Sequence, residues 1–148
     1  MNFADPRDRI PFARLLGLEL SRFERDEAEL GLELRDELLN SWAVAHGGVT
    51  MTLLDIAMAH AARSPGADGV AVTTGVVTIE MKTSFLRPGT GRLVGRGRRL
   101  HRTPSLAFCE GSVLDGDGKL VAHATGTFKY MRGPAVAGRR SQRAHASD

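Results

Sequence analysis

Cysteine is nearly missing from this chain: Cys109 stands alone among 148 residues. A single thiol excludes an intramolecular disulfide and any multi-cysteine zinc site, and it points to a reducing, cytoplasmic setting. There is also no apolar run of about 18 residues, so no membrane-spanning helix is expected. The opening MNFADPRDRI places acids early and has no apolar stretch, which argues against a secretory signal. No internal repeat is visible.

What remains is ordinary for a globular domain: 42% apolar and 25% charged residues, in a length that suits one domain with a real core. The formal charge of +3 suggests a nucleic-acid partner until it is located. Residues 132–148 hold Arg132, Arg139, Arg140 and Arg143 against Asp148, which accounts for all of it, so residues 1–131 sum to zero. A domain over 1–131 is expected, followed by a basic, disordered tail over 132–148 without apolar periodicity.

The chain is organised around Asn40 to Arg63, NSWAVAHGGVTMTLLDIAMAHAAR. From Val49 to Ala62 nearly every residue is apolar or small, without Pro or Gly, and the segment predicts a helix of about four turns. It is apolar on every side, as in a helix enclosed by the fold. Asp55 lies in its middle, on a stripe with Gly48, Met51, Thr52, Met58, Ala59 and Ala62. None of these is a cation, so the carboxylate must find a partner in space, be protonated or do chemistry.

His46-Gly47-Gly48 opens this helix. First-turn N–H groups form a natural site for negative charge, including the charge that develops on a carbonyl oxygen under attack. Gly47 and Asp55 are eight residues apart, about 12 Å along a helix, too far for both to reach one carbonyl. If they cooperate, Asp55 must meet the Gly47 N–H of a second copy, which implies a symmetric dimer with two composite sites.

Taken in order, residues 1–17 suggest a short amphipathic helix after Pro11. From Glu27 the pattern EAELGLEL alternates, as in a half-buried antiparallel strand. Residues 19–37 carry eight acids against three arginines, which reads as a solvated face. Asp36 to Ala45 is expected to be a loop. Strands are predicted over Val70–Leu86, Leu93–Leu100, Leu106–Leu114 and Leu120–Met131. The last two are joined through the hairpin signal Asp115-Gly116-Asp117-Gly118. At least five strands with short connections predict an antiparallel sheet curled around the helix. Phe85 and Phe108 are expected to face the core, as is Cys109. His60, opposite Asp55 on the helix, reads as a satisfied core histidine, and Met51 and Met58 as either pocket lining or core.

Four features together resemble the PaaI-like hotdog-fold acyl-CoA thioesterases. They are Asn40-x5-His46-Gly47-Gly48, Asp55 nine residues after the histidine, the run Thr78-Ile79-Glu80-Met81-Lys82-Thr83-Ser84-Phe85-Leu86-Arg87-Pro88, and the ending Ala124-Thr125-Gly126-Thr127-Phe128. The likeness covers roughly residues 10–131. It implies an α+β hotdog fold, an antiparallel sheet of five to six strands around one long central helix. It also implies a homodimer with a continuous sheet, often paired into a homotetramer, and hydrolysis of an acyl-CoA thioester; Met51 and Met58, with Trp42 nearby in sequence, suit an adaptable pocket for either an aryl or a medium-chain acyl group. Carried over residue by residue, Gly47 would polarise the carbonyl and Asp55 would act as general base or nucleophile. Thr78 would hold the attacking water, while Asn40 and His46 would shape the loop and the helix start. No metal or separate cofactor is implied, since coenzyme A is part of the substrate.

Between Arg87 and Arg102 lie six arginines and no acid. Such a run suits the phosphates of coenzyme A, and Arg87, Arg102 and Ser105 are the candidates, against a bland exposed strand. A nucleic-acid groove is disfavoured because the region has no aromatic platform. Two other readings of the whole chain stand beside the hydrolase: a non-catalytic acyl-CoA-binding sensor, and a hydratase acting on acyl-CoA or acyl-carrier thioesters.

Overall fold

The computed structural model describes residues 9–134 apart from Ala71. The chain runs through α1 (Pro11–Leu16), β1 (Glu19–Glu24), β2 (Glu27–Glu33), a 3-10 turn (Asp36–Leu38) and α2 (Gly47–Arg63). It continues through β3 (Thr74–Phe85), β4 (Arg92–Arg102), β5 (Leu106–Leu114) and β6 (Leu120–Pro134). The strands form one six-stranded antiparallel sheet in the order β1-β2-β4-β5-β6-β3. This is the α+β hotdog arrangement: α2 touches all six strands, most heavily β4 and β5.

Helix α2 has 17 residues, about 25 Å at 1.5 Å per residue. It buries Leu53, Leu54, Ala57, Met58, Ala61 and Ala62 completely, matching a sequence without a polar face. The sheet receives it on glycines. A Cβ at Gly95 would lie 2.7 Å from the Leu53 Cγ, and one at Gly97 would collide with the Ala57 carbonyl. The helix therefore rests on strand backbone at these points. His60 is buried and its ring Nδ1 meets the Ile56 carbonyl at 2.9 Å, the satisfied core histidine that was expected. Cys109 is buried as well, and burial pushes its thiol up to about 12.

Several expectations need correction. Strand β1, ELSRFE, is absent from the alternation-based reading because a bulge between Leu20 and Arg22 interrupts the pairing with β2. Its two half-buried apolar residues, Leu20 and Phe23, are consequently three apart rather than two or four. The strand expected from Val70 begins only at Thr74, whose partner is Pro134. Val70 instead belongs to a turn in which its N–H donates to the Asp68 carboxylate, and it is 66% exposed. The Asp36–Ala45 connection carries the 3-10 turn and a Leu39–Ala45 bridge. Strand β6 continues to Pro134, so residues 132–134 extend the sheet; the remainder of the expected tail, 135–148, lies outside the described residues.

Phe85 and Phe108 do not face the core: they are 54% and 38% exposed. Phe108 lies opposite His101 across β4–β5 and stacks on its ring. The arginine run is likewise explained by register. In the β2–β4 pairing Glu27 faces Arg98, Glu29 faces Arg96 and Glu33 faces Arg92. Arg96 binds Glu29 at 3.0 Å, Arg98 binds Glu110 at 2.7 Å, and Arg99 binds Asp26. The acid-rich and arginine-rich segments neutralise each other inside the sheet, which removes most of that run from consideration as a polyanion site.

Candidate functional site

Asp55 is half-buried on the flank of α2 that faces the edge strand β3. The Thr78 hydroxyl donates to Asp55 Oδ1 at 2.6 Å. Thr78 pairs with the buried Phe128, and the next paired position is Glu80 with Thr127, so a bulge sits directly after it. Glu80 accepts a bond from the Thr127 hydroxyl, while Thr78 is turned to the helix. Among the described residues no Lys, Arg or His pairs with Asp55, so its carboxylate keeps acceptor capacity beyond the threonine bond.

The start of α2 is closed by His46. Its backbone carbonyl accepts from the Val49 and Thr50 N–H groups at 2.9 and 3.1 Å, and its ring Nδ1 accepts from the Gly48 N–H at 2.9 Å. A capping acceptor at this position satisfies donors that the helix itself cannot. Among the described residues no acceptor meets the Gly47 N–H, which is left as the donor at the helix tip. The ring of Phe85 stands over this glycine, 3.5 Å from where a Cβ would be.

Asn40 organises the preceding loop. Its carboxamide oxygen accepts from the Trp42 N–H at 2.9 Å and the Val44 N–H at 3.4 Å, while its own N–H donates to the Val44 carbonyl at 2.8 Å. These bonds hold Ala43 at φ 57°, a left-handed conformation that costs a non-glycine residue about 1 kcal/mol.

Within one protomer the expected residues fall into three places. Asn40, Gly47 and Arg87 line one cavity of about 400 Å³, together with Val44, Phe85 and Leu86. Asp55 and Thr78 form the second group and do not line it. Arg102 and Ser105 lie in a larger groove of about 1500 Å³ with His101, Lys129 and Arg132. Arg102 stacks over the Tyr130 ring at 4.8 Å. The Arg87 guanidinium donates to the Leu120 carbonyl at 2.8 Å and so holds the cavity rim. Met58 is fully buried against the glycine positions 111 and 126 and belongs to the core. Phe85 was missed as a site residue because its place in an apolar strand pattern suggested burial.

Comparison with known proteins adds four findings. Residues 43–122 match the family model described as the thioesterase superfamily. The medium/long-chain acyl-CoA thioesterase YigI of Escherichia coli K12 is 27% identical over 132 residues, covering 80% of this chain and 84% of that one. Among solved structures, a variant of the phenylacetic acid degradation protein PaaI from Thermus thermophilus is 30% identical, with a TM-score of 0.70 over 82% of this chain and 99% of that one. A conserved protein from Pseudomonas aeruginosa is 31% identical, with a TM-score of 0.74 over 84% and 97% of the two chains.

Proposed function

The chain belongs to the thioesterase superfamily, and from that premise we propose that it hydrolyses aryl- or medium-chain acyl-CoA thioesters at sites shared between two protomers. The observation that carries this reading is the Thr78–Asp55 bond. A carboxylate on the central helix, with no cationic partner among the described residues, is fixed at one oxygen by a strand hydroxyl and can offer the other to water.

Gly47 and Asp55 of one protomer are separated by eight residues of helix, about 12 Å, and Asp55 does not line the cavity that contains Gly47. Strand β3 is at the end of the sheet, pairs only with β6 among the described strands, and exposes Val77, Ile79 and Phe85. A second copy joined along this edge would extend the sheet, satisfy an otherwise open row of backbone groups, and carry its own Asp55 towards the Gly47 cavity. The assembly is a homodimer, or a homotetramer of two such pairs.

In the reaction, the thioester carbonyl oxygen accepts from the Gly47 N–H of one protomer. Asp55 of its partner takes a proton from water as the water oxygen attacks the carbonyl carbon. The oxyanion that forms is held at the helix tip, where one such donor is worth about 10²- to 10³-fold in rate. Collapse breaks the C–S bond, and the coenzyme A thiolate leaves with the proton from Asp55. Asn40 and His46 keep the loop and the helix tip in place. The groove holding Arg102, Ser105, Lys129 and Arg132 suits the phosphates of coenzyme A, with Arg87 supporting the acyl side.

The test is thiol release from a panel of aryl- and fatty-acyl-CoAs by the natural chain and by Asp55→Ala. Turnover by the natural chain that collapses in the variant is expected. Tight binding without any turnover by the natural chain would instead identify an acyl-CoA sensor.

A further inference from the structure

The carboxylates of the sheet are paired everywhere among the described residues except on β3, a strand that ends it. Glu19, Glu24, Glu27, Glu29, Glu33 and Glu110, the glutamates of the other strands, each lie within 3.8 Å of an arginine nitrogen. Glu80 of β3 has no cationic partner among the described residues; its carboxylate accepts the Thr127 hydroxyl at 2.7 Å through one oxygen. Lys82, two residues further on, has no acidic partner among them. Both side chains are exposed, on the sheet face turned away from α2. They pair with Thr127 and Thr125, while Ala124, Gly126 and Phe128, which alternate with those threonines, are buried. One negative and one positive group are thus left open, side by side, on an unpartnered edge.

We propose that Glu80 and Lys82 set the register in which β3 of one copy pairs with β3 of a second, with the two-fold axis passing at Met81. Glu80 of each protomer then lies opposite Lys82 of the other. This rests on the shared-site reading and deepens it by fixing how the two half-sites meet. Side chains directly opposite each other in an antiparallel pair share a face, so a two-fold axis between identical strands sets one residue against its own copy. An axis at Glu80 would oppose two carboxylates, and one at Lys82 two ammonium groups; like charges in that position are destabilising. An axis at Met81 makes two opposite-charge pairs instead. It also suits the chemistry. Thr78, bonded to Asp55, and Phe85, whose ring stands over Gly47, are three and four residues to either side of Met81. An axis between them carries the Asp55 end of one strand to the Gly47 end of the other, so each site is completed by the partner. Thr83 would avoid repulsion as well, but it is two residues from Phe85 and five from Thr78, which sets the two ends out of step. Met81 itself is half-buried against the core and meets its own copy through an apolar contact.

Charge exchange tests the pairing without altering the groups proposed for chemistry. In Glu80→Lys alone, or Lys82→Glu alone, both cross-strand pairs become like-charged; with both changes together they attract again. Sedimentation equilibrium at low salt should give a dimer dissociation constant raised about tenfold or more in each single variant, and within about threefold of the natural chain in the double variant. Single variants that dimerise as well as the natural chain, or a double variant that does not recover, would overturn the proposal. Recovery in the double variant also shows that neither position is needed for folding. Oxidative crosslinking locates the axis directly, since the native Cys109 is buried. Met81→Cys should give a covalent dimer, because only a residue at the axis brings its own copy within disulfide reach. Lys82→Cys and Thr83→Cys should stay uncrosslinked. Crosslinking at 82 or 83, or at none of the three, would equally overturn it. Neither measurement depends on turnover: a chain that dimerises in this register yet releases no thiol from any acyl-CoA sinks the hydrolase reading and leaves the register standing.

Discussion

Thr78 and Asp55, 23 residues apart in the chain, are joined by a 2.6 Å hydrogen bond that ties the edge strand to the central helix. The bond gives the carboxylate a fixed orientation, and no Lys, Arg or His among the described residues pairs with it.

Asp55→Asn keeps the shape of the side chain and its bond to Thr78 but removes the base. Thiol release should fall by about 10²- to 10⁴-fold, with thermal stability and acyl-CoA binding near those of the natural chain. Full activity in this variant would eliminate Asp55 as base or nucleophile.

Replacing Thr78 by Val removes the hydroxyl at nearly constant volume. Because a hydrogen bond to a charged group is worth about 1.5–3 kcal/mol, kcat should drop roughly tenfold to hundredfold while KM changes little. Thr78→Ser should recover most of the loss. A Val variant with unchanged kcat would reduce the contact to a packing detail.

Gly97→Ala places a methyl group against the Ala57 carbonyl. Backbone cannot swing aside as a side chain would, so the helix must lift from the sheet, at a cost of about 1–3 kcal/mol or more. Urea unfolding should show a lower midpoint with an unchanged slope. An equally stable variant would mean that α2 is not seated as described.

The buried Cys109 thiol, raised from 9.0 to about 12, makes a prediction about alkaline pH. The folded chain holds this proton more tightly than the unfolded one. The corresponding stabilisation is therefore complete below pH 9.0 and is lost as pH rises through the window to about 12. At pH 8 the native thiol should react slowly with a disulfide reagent and quickly once the protein is unfolded, so it should not disturb a thiol-release assay. Rapid labelling of native protein would contradict its burial.

The central helix was legible because its apolar character extends over four turns, and Leu106–Leu114 was legible because the Asp115-Gly116-Asp117-Gly118 turn marks its end. Strand β1 was not, since the bulge at Leu20–Arg22 breaks the period on which such a reading depends. The six arginines looked like an anion site because one-dimensional sequence cannot show which segment lies opposite; the β2–β4 register supplies Glu29 and Glu33 as partners. Asp55 could be singled out from its surroundings on the helix. That the Thr78 hydroxyl reaches it depends on a bulge in a strand following a long connection, and no local pattern encodes that. Phe85 and Phe108 were misplaced for a related reason: period two says that a strand has two faces, but not which of them meets the helix.

The seating of α2 on bare strand backbone at Gly95 and Gly97 leaves no adjustable layer beneath the helix. Exchanging one core side chain for another cannot lower the helix where it meets these two glycines. Diversification of what this scaffold accepts must therefore come from its margins, the Asn40–Ala45 loop and the outermost strand, while the machinery between them keeps its dimensions.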